Sequence, residues 1–182
     1  ANLREGAIRG KACHLACRFI DEGRRFAWPN AEVERMFGGY VETYRQFKAD
    51  FDYQPIATEE RVHDHTYCYA GTLDMRGTVW WKRLSDVILR FLGVRDAERI
   101  LVIGDRKTGV PQRSTALQLA AYARCLTIPP ARNSFLRMEV DLNEDGSYVR
   151  EKDVTFYTSP LDEKIFLSAL LVWNWKNGGG KL

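Results

Sequence analysis

The chain has 182 residues, 45% apolar and 28% charged, with a formal net charge of +3. That length carries one domain, residues 1–182, with a substantial core, and the composition is ordinary for a globular protein. The mild charge permits a polyanionic partner without arguing for one, because local clustering decides that, and no apolar run reaches the roughly 18 residues of a membrane-spanning helix.

The order of elements is read from periodicity. Leu3 to Glu22 is a predicted helix with a stripe of Leu3, Ala7, Ile8, Leu15, Ala16, Phe19 and Ile20, stopped by Gly23. Asn30, after Pro29, caps a second helix. Its stripe is Val33, Met36, Phe37, Tyr40, Val41, Tyr44, Phe47 and Phe51. Gly38-Gly39 weakens that helix by about 1 kcal/mol per glycine if exposed. "IATEERVHDH" and "TYCYAGTLDMRG" alternate as an antiparallel pair of strands turning near Asp64-His65. His63 and His65 fall at that exposed turn and are assigned no role. Leu84, Val87, Ile88, Phe91 and Leu92 mark an amphipathic helix ending at Gly93.

Ile100–Ile103 read as a strand buried on both faces, running on to Lys107. Ser114 caps a helix carrying Leu117, Ala120, Ala121 and Cys125, and Pro129-Pro130 breaks the chain. "FLRMEVDLNEDGSYVREKDVTFYT" reads as a hairpin turning at Asp145-Gly146. Ser159, Pro160 and Asp162 open a last helix as a capping box. Its core stripe is Ile165, Phe166, Ala169, Leu170 and Trp173, with 176–182 a flexible tail. The expected architecture is α/β, a central mixed sheet flanked by helices.

The cysteines, Cys13, Cys17, Cys68 and Cys125, show no CxxC spacing. They read as free thiols of a cytoplasmic protein. No signal-peptide pattern is visible. The sequence starts at Ala1 rather than Met, which leaves room for an upstream segment.

The stretch "ILVIGDRKTG" poses the chemical question. It ends a buried strand in Asp105 and Lys107, two residues apart and so on one face. Buried charge needs a pairing or a metal. A P-loop fails because the lysine precedes the second glycine, and a dinucleotide fingerprint fails because GxGxxG is missing and Pro111 interrupts the helix. Asp74 ends "YAGTLD". If the two strands are neighbours, Asp74 and Asp105 converge, and paired carboxylates suit a hard divalent cation. Lys107, on the same side, is placed to hold an attacking water or to offset charge on a phosphoryl transition state.

"GTLD…IGDRKTG…ALQLAAYA" resembles the PD-(D/E)XK nuclease superfamily. The nearest likeness is to the nuclease domain of bacterial RecB-type recombination helicase–nucleases and to related phage exonucleases. "RGKACHLACRFIDEG" resembles the group's first helix, whose histidine is a metal ligand, which assigns that role to His14. "YAGTLD" supplies Asp74, "GDRKTG" supplies Asp105 and Lys107, and "ALQLAAYA" supplies Gln118 and Tyr122, which face the site in the group. The resemblance implies a restriction-endonuclease-like core. Asp74 and Asp105 are 31 residues apart, so a helix is inserted between the acidic strands, over about 77–98.

The expected function is a Mg²⁺- or Mn²⁺-dependent deoxyribonuclease, an exonuclease of recombination or repair, in a phage setting as readily as a bacterial one, leaving 5′-phosphates. His14, Asp74, Asp105 and the carbonyl of Arg106 are the expected ligands, and Glu59 is the acid of the neighbouring strand that fits the group better than Glu60. Some relatives bind an iron–sulfur cluster through one early and three late cysteines. No cysteine follows Cys125, so no cluster is expected. Expected partners are DNA, single-stranded or duplex ends, and a recombination protein or second copy, with no membrane. Aromatics interleaved with bases at Arg76 and Trp80, Trp81, Lys82 and Arg83 suit unpaired nucleotides. The competing class is a non-cleaving nucleic-acid-binding module working within a larger assembly.

Overall fold

A computed structural model describes residues 3–93, 99–126 and 135–178. Five strands form one mixed sheet in the order β1-β2-β3-β4-β5, with helices on both faces. The strands are β1 (Gln54–Asp64), β2 (Tyr69–Trp80), β3 (Arg99–Lys107), β4 (Leu136–Asp141) and β5 (Val154–Tyr157). Only β3 and β4 run parallel, joined through helix α4 (Ser114–Leu126). A parallel pair needs such a crossover.

Two helices open the chain, α1 (Leu3–Asp21) and α2 (Ala31–Phe51). The Asn30 carboxamide accepts from the Val33 amide at 2.9 Å, the cap expected of it. α2 buries Tyr40, Tyr44, Phe47 and Phe51 against Met75, Val79, Val102 and Met138 of the sheet, which makes the main core. α4 covers a second cluster around Leu119, with Val62, Leu73 and Ile103. β3 is therefore covered on both faces, Val102 toward one cluster and Ile103 toward the other, although Leu101 stays exposed.

The buried stripe of α1 differs from the expected one. Cys13, Ala16 and Cys17 are buried, while Ile8 and Leu15 are exposed. A free cysteine is among the most often buried residue types, and the two thiols set the helix phase. Burial pushes both up to about 12, so they are inert. This rotation places His14 at the edge of the buried face.

Gly39 has a steric reason. A Cβ there would lie 1.8 Å from the Glu144 carbonyl oxygen, so α2 and the 142–147 loop touch backbone to backbone. Gly39→Ala therefore forces the loop off the helix, and we expect a loss of at least the ~1–3 kcal/mol typical of overpacking, read as a lower melting temperature. Gly38→Ala is the control, since its Cβ would meet only the Glu34 side chain at 3.7 Å.

Four local expectations are corrected. The stretch after Asp145-Gly146 is not a tight hairpin. Gly146 turns at φ +77°, but the antiparallel strands β4 and β5 are separated by a loop and the short helix α5 (Arg150–Asp153). The inserted segment starts at the 3-10 turn Trp81–Arg83 rather than at residue 77, because β2 continues to Trp80 in register with Arg99. It contains α3 (Asp86–Leu92), which turns Ile88, Leu89 and Leu92 to the core and leaves Val87 exposed. The capping box of the last helix, α6 (Leu161–Lys176), does not form: Asp162 pairs with Arg137 at 3.0 Å instead. Nor does α6 bury a core stripe. It packs on α4, yet Ile165, Leu171, Val172, Trp173 and Trp175 are exposed. Pro129-Pro130 and tail residues 179–182 lie outside the described residues.

Candidate metal centre

β2 and β3 are antiparallel neighbours, with Met75 opposite Gly104. The insertion sits at the far end of this pair, so it does not separate the acids. Leu73 belongs to the second cluster and Met75 to the main core, so β2 passes from one to the other at Asp74. On β1, Glu59 adopts φ +52°. A non-glycine residue held there costs on the order of 1–3 kcal/mol, strain of the kind that gathers at functional sites.

These turns bring three ligand groups together. Ligand atoms of His14, Glu59 and Asp74 all lie within 4.8 Å of one another. His14 Nδ1 is 3.3 Å from Asp74 Oδ2 and 3.8 Å from Glu59 Oε1. His14 Nε2 is 2.8 Å from the Arg106 carbonyl oxygen. A carbonyl only accepts, so Nε2 carries the hydrogen, and in the neutral ring the Nδ1 lone pair faces the acids. Burial, and then the Arg106 guanidinium, lower the His14 pKa and favour that neutral form. A lone pair and two carboxylates turned toward one point need a proton or a cation between them.

The metal-free arrangement uses a proton. Burial, and then the charge of Asp105, push the Asp74 carboxyl up to about 8, and the two carboxyls are hydrogen-bonded to each other. Lys107 Nζ forms an ion pair with Asp105, which is 4% exposed. The Arg106 amide donates to Asp74 Oδ2 at 3.3 Å.

Beneath the site the Arg106 guanidinium is fully buried. It donates to Asp21 at 3.2 Å and to the Asp74 carbonyl at 2.8 Å. Asp21 also takes Lys48 at 2.7 Å and the Tyr44 hydroxyl. This clamp fixes the β3 backbone where its carbonyl meets His14. Asp21 carried no readable signal, since an acid at a helix end is usually solvated.

Glu139 is a second residue the sequence reading passed over. It lies beside Asp105 in the parallel register, fully buried, accepting the Tyr157 hydroxyl at 3.1 Å through one oxygen. Asp141 lies beside Lys107. Burial, and then Glu139, push Asp141 up to about 6. The signal was present: Arg137, Glu139 and Asp141 alternate through an apolar strand, so all three share one face.

The other candidates are placed as follows. Gln118 Nε2 donates to the Tyr122 hydroxyl at 3.3 Å on α4. The Tyr122 ring lies over Gly71, where a Cβ would come within 2.5 Å of it. Both therefore flank β2 three residues before Asp74. Glu60 is held by Arg76 through two hydrogen bonds of 2.7 and 2.9 Å, which occupies that arginine and leaves Glu59 as the acid facing His14. Trp80 is six residues past Asp74, about 20 Å along the strand. Trp81 packs on the main core under Lys82, and the Arg83 carbonyl accepts from Arg150. Trp80–Arg83 thus stand at the opposite end of the sheet from the acids. No described helix is long and apolar enough to cross a membrane. Compared with known proteins, the chain matches no family model and no curated sequence.

Proposed function

We propose that this protein is a divalent-metal-dependent nuclease that hydrolyses DNA phosphodiester bonds, with a PD-(D/E)XK core of the restriction-endonuclease type. The convergence of His14, Glu59 and Asp74, with the Asp105–Lys107 pair against them, carries the reading. The donor set fits a hard ion: carboxylate oxygens, a peptide carbonyl and one imidazole suit Mg²⁺ or Mn²⁺. His14, Asp74, Asp105, the Arg106 carbonyl and Glu59 would hold it. Bound there, such an ion supplies a Lewis acid for the phosphate and lowers the pKa of a coordinated water.

The chain's own groups do the rest. Lys107 orients the attacking water and meets the charge that develops on the phosphoryl oxygens. The Arg106–Asp21 clamp holds the carbonyl and, through it, the His14 ring. Gln118 and Tyr122 hold the substrate strand beside Asp74. Exonucleolytic action, 5′-phosphate products, a recombination or repair role and a cytoplasmic setting extend this reading.

Incubation with labelled linear and circular DNA tests it. Cleavage is expected with Mg²⁺ or Mn²⁺, little with Ca²⁺, whose ligand sphere is larger and looser, and none in excess EDTA. Full activity in EDTA would overturn the mechanism. DNA binding without cleavage under every condition would make the protein a non-cleaving module.

A further inference from the structure

At the tip of the β1–β2 ribbon the chain reads His63-Asp64-His65-Thr66-Tyr67-Cys68. The Asp64 side chain builds the turn. Its Oδ1 accepts from the Thr66 and Tyr67 amides at 2.8 and 3.0 Å, and its Oδ2 accepts from Arg124 at 2.7 Å. With that carboxylate occupied, the flanking imidazoles face each other. His63 Nε2 and His65 Nε2 are 2.9 Å apart, and both rings are exposed. Cys68, also exposed and free, sits over the same turn, its thiol donating to the His65 carbonyl at 3.5 Å.

Two nitrogen lone pairs at this separation share one proton, and a metal ion can replace it. At a Zn–N distance of about 2.0–2.1 Å, two nitrogens of a tetrahedral site are about 3.3 Å apart. The rings need to open by only about half an ångström. Turning the Cys68 thiol from the carbonyl toward the rings adds a sulfur ligand. We propose that His63, His65 and the Cys68 thiolate form a binding site for a borderline transition-metal ion of the Zn²⁺ class. Imidazole and thiolate select such ions over Mg²⁺. The bound ion ties the end of β1 to the start of β2. The site is separate from the candidate metal centre, because Tyr69, at the tip, precedes Asp74 by five residues, about 17 Å of strand.

Zn²⁺ titration of the reduced full chain in saturating Mg²⁺, followed by calorimetry, tests this. One equivalent is expected to bind. Cys68→Ser is expected to lower its affinity about 10–100-fold, the range seen when a ligand's support is lost, and His63→Ala or His65→Ala to lower it further. Asp74→Asn leaves this Zn²⁺ in place, which separates the outcome from the fate of the nuclease reading. The three side chains are exposed, and circular dichroism checks that each variant is folded. Zn²⁺ is also expected to protect Cys68 from iodoacetamide, with buried Cys13 and Cys17 as unreactive internal references. Unchanged Zn²⁺ affinity in both histidine variants overturns the site. Alkylation of Cys68 at equal rates with and without Zn²⁺ removes the thiolate from it.

Discussion

Lys107→Ala keeps its metal affinity and loses about 10²–10³-fold in DNA cleavage. The magnitude is that of removing one preorganised donor from the charge developing in a transition state. The two effects separate because Lys107 is no ligand: it is a cation ion-paired to Asp105, about a third exposed and on the same face of β3. Its removal leaves the oxygen ligands intact and takes away a partner that the reacting phosphate needs more than the resting one. Lys107→Arg keeps the charge but not the compact ammonium, and recovers only part of the rate. Mn²⁺ binding by calorimetry and single-turnover cleavage check the two halves. Wild-type rates in Lys107→Ala would assign the lysine to a structural ion pair with Asp105.

Much of this arrangement was legible because it depends on short-range rules. Asn30 caps α2 and Gly23 ends α1 through local hydrogen bonding and a positive φ. The charges that end β3 were conspicuous against its apolar run. What escaped depends on packing between elements distant in sequence. Arg106 looked like any basic residue between Asp105 and Lys107, yet it is the largest fully buried side chain, and it needs Asp21 from 85 residues earlier. Glu59 could be told from Glu60 only by the likeness to a family. The structural cause is the φ +52° turn, together with Arg76 holding Glu60.

Periodicity also failed in a consistent way at the two ends of the chain. In α1 the apolar count omitted two cysteines and so misjudged the buried face by enough to leave His14 looking like a surface residue. In α6 apolar residues surround the helix, and such a pattern gives no phase. Only the contact with α4, anchored by Arg137 to Asp162 and by Arg124 to Glu163, decides which side turns inward. The Trp80–Arg83 cluster misled in another way. Its composition suits nucleic acid, but strand register carries it away from the acids, and Trp81 fills the core.

In the absence of metal, Asp74→Asn melts above the wild type at pH 8–9. In the unfolded chain the Asp74 carboxyl titrates at its ordinary value of 3.8, and in the native site at about 8. Between those values the native state binds one proton more than the unfolded state, so wild-type stability falls as pH rises. A single group accounts for at most about 1.4 kcal/mol per pH unit. Because Asp74 and Asp105 share a proton, the realised loss is smaller, on the order of a few kcal/mol. Asparagine carries no charge and removes this slope. The gain at pH 8–9 is then several degrees, at about 2–4 °C per kcal/mol for a chain of this size. Metal reverses the ranking: saturating Mn²⁺ raises the wild type by about 2.7 kcal/mol at 100 times Kd and leaves the variant where it was. That rise grows toward pH 8, since binding displaces the shared proton. Asp105→Asn relieves the same repulsion but unpairs Lys107, so its metal-free gain is smaller. A loss of about 3–5 kcal/mol in metal-free Asp74→Asn, as when a buried charge pair is broken, would make these acids a structural clamp and place the chemistry elsewhere.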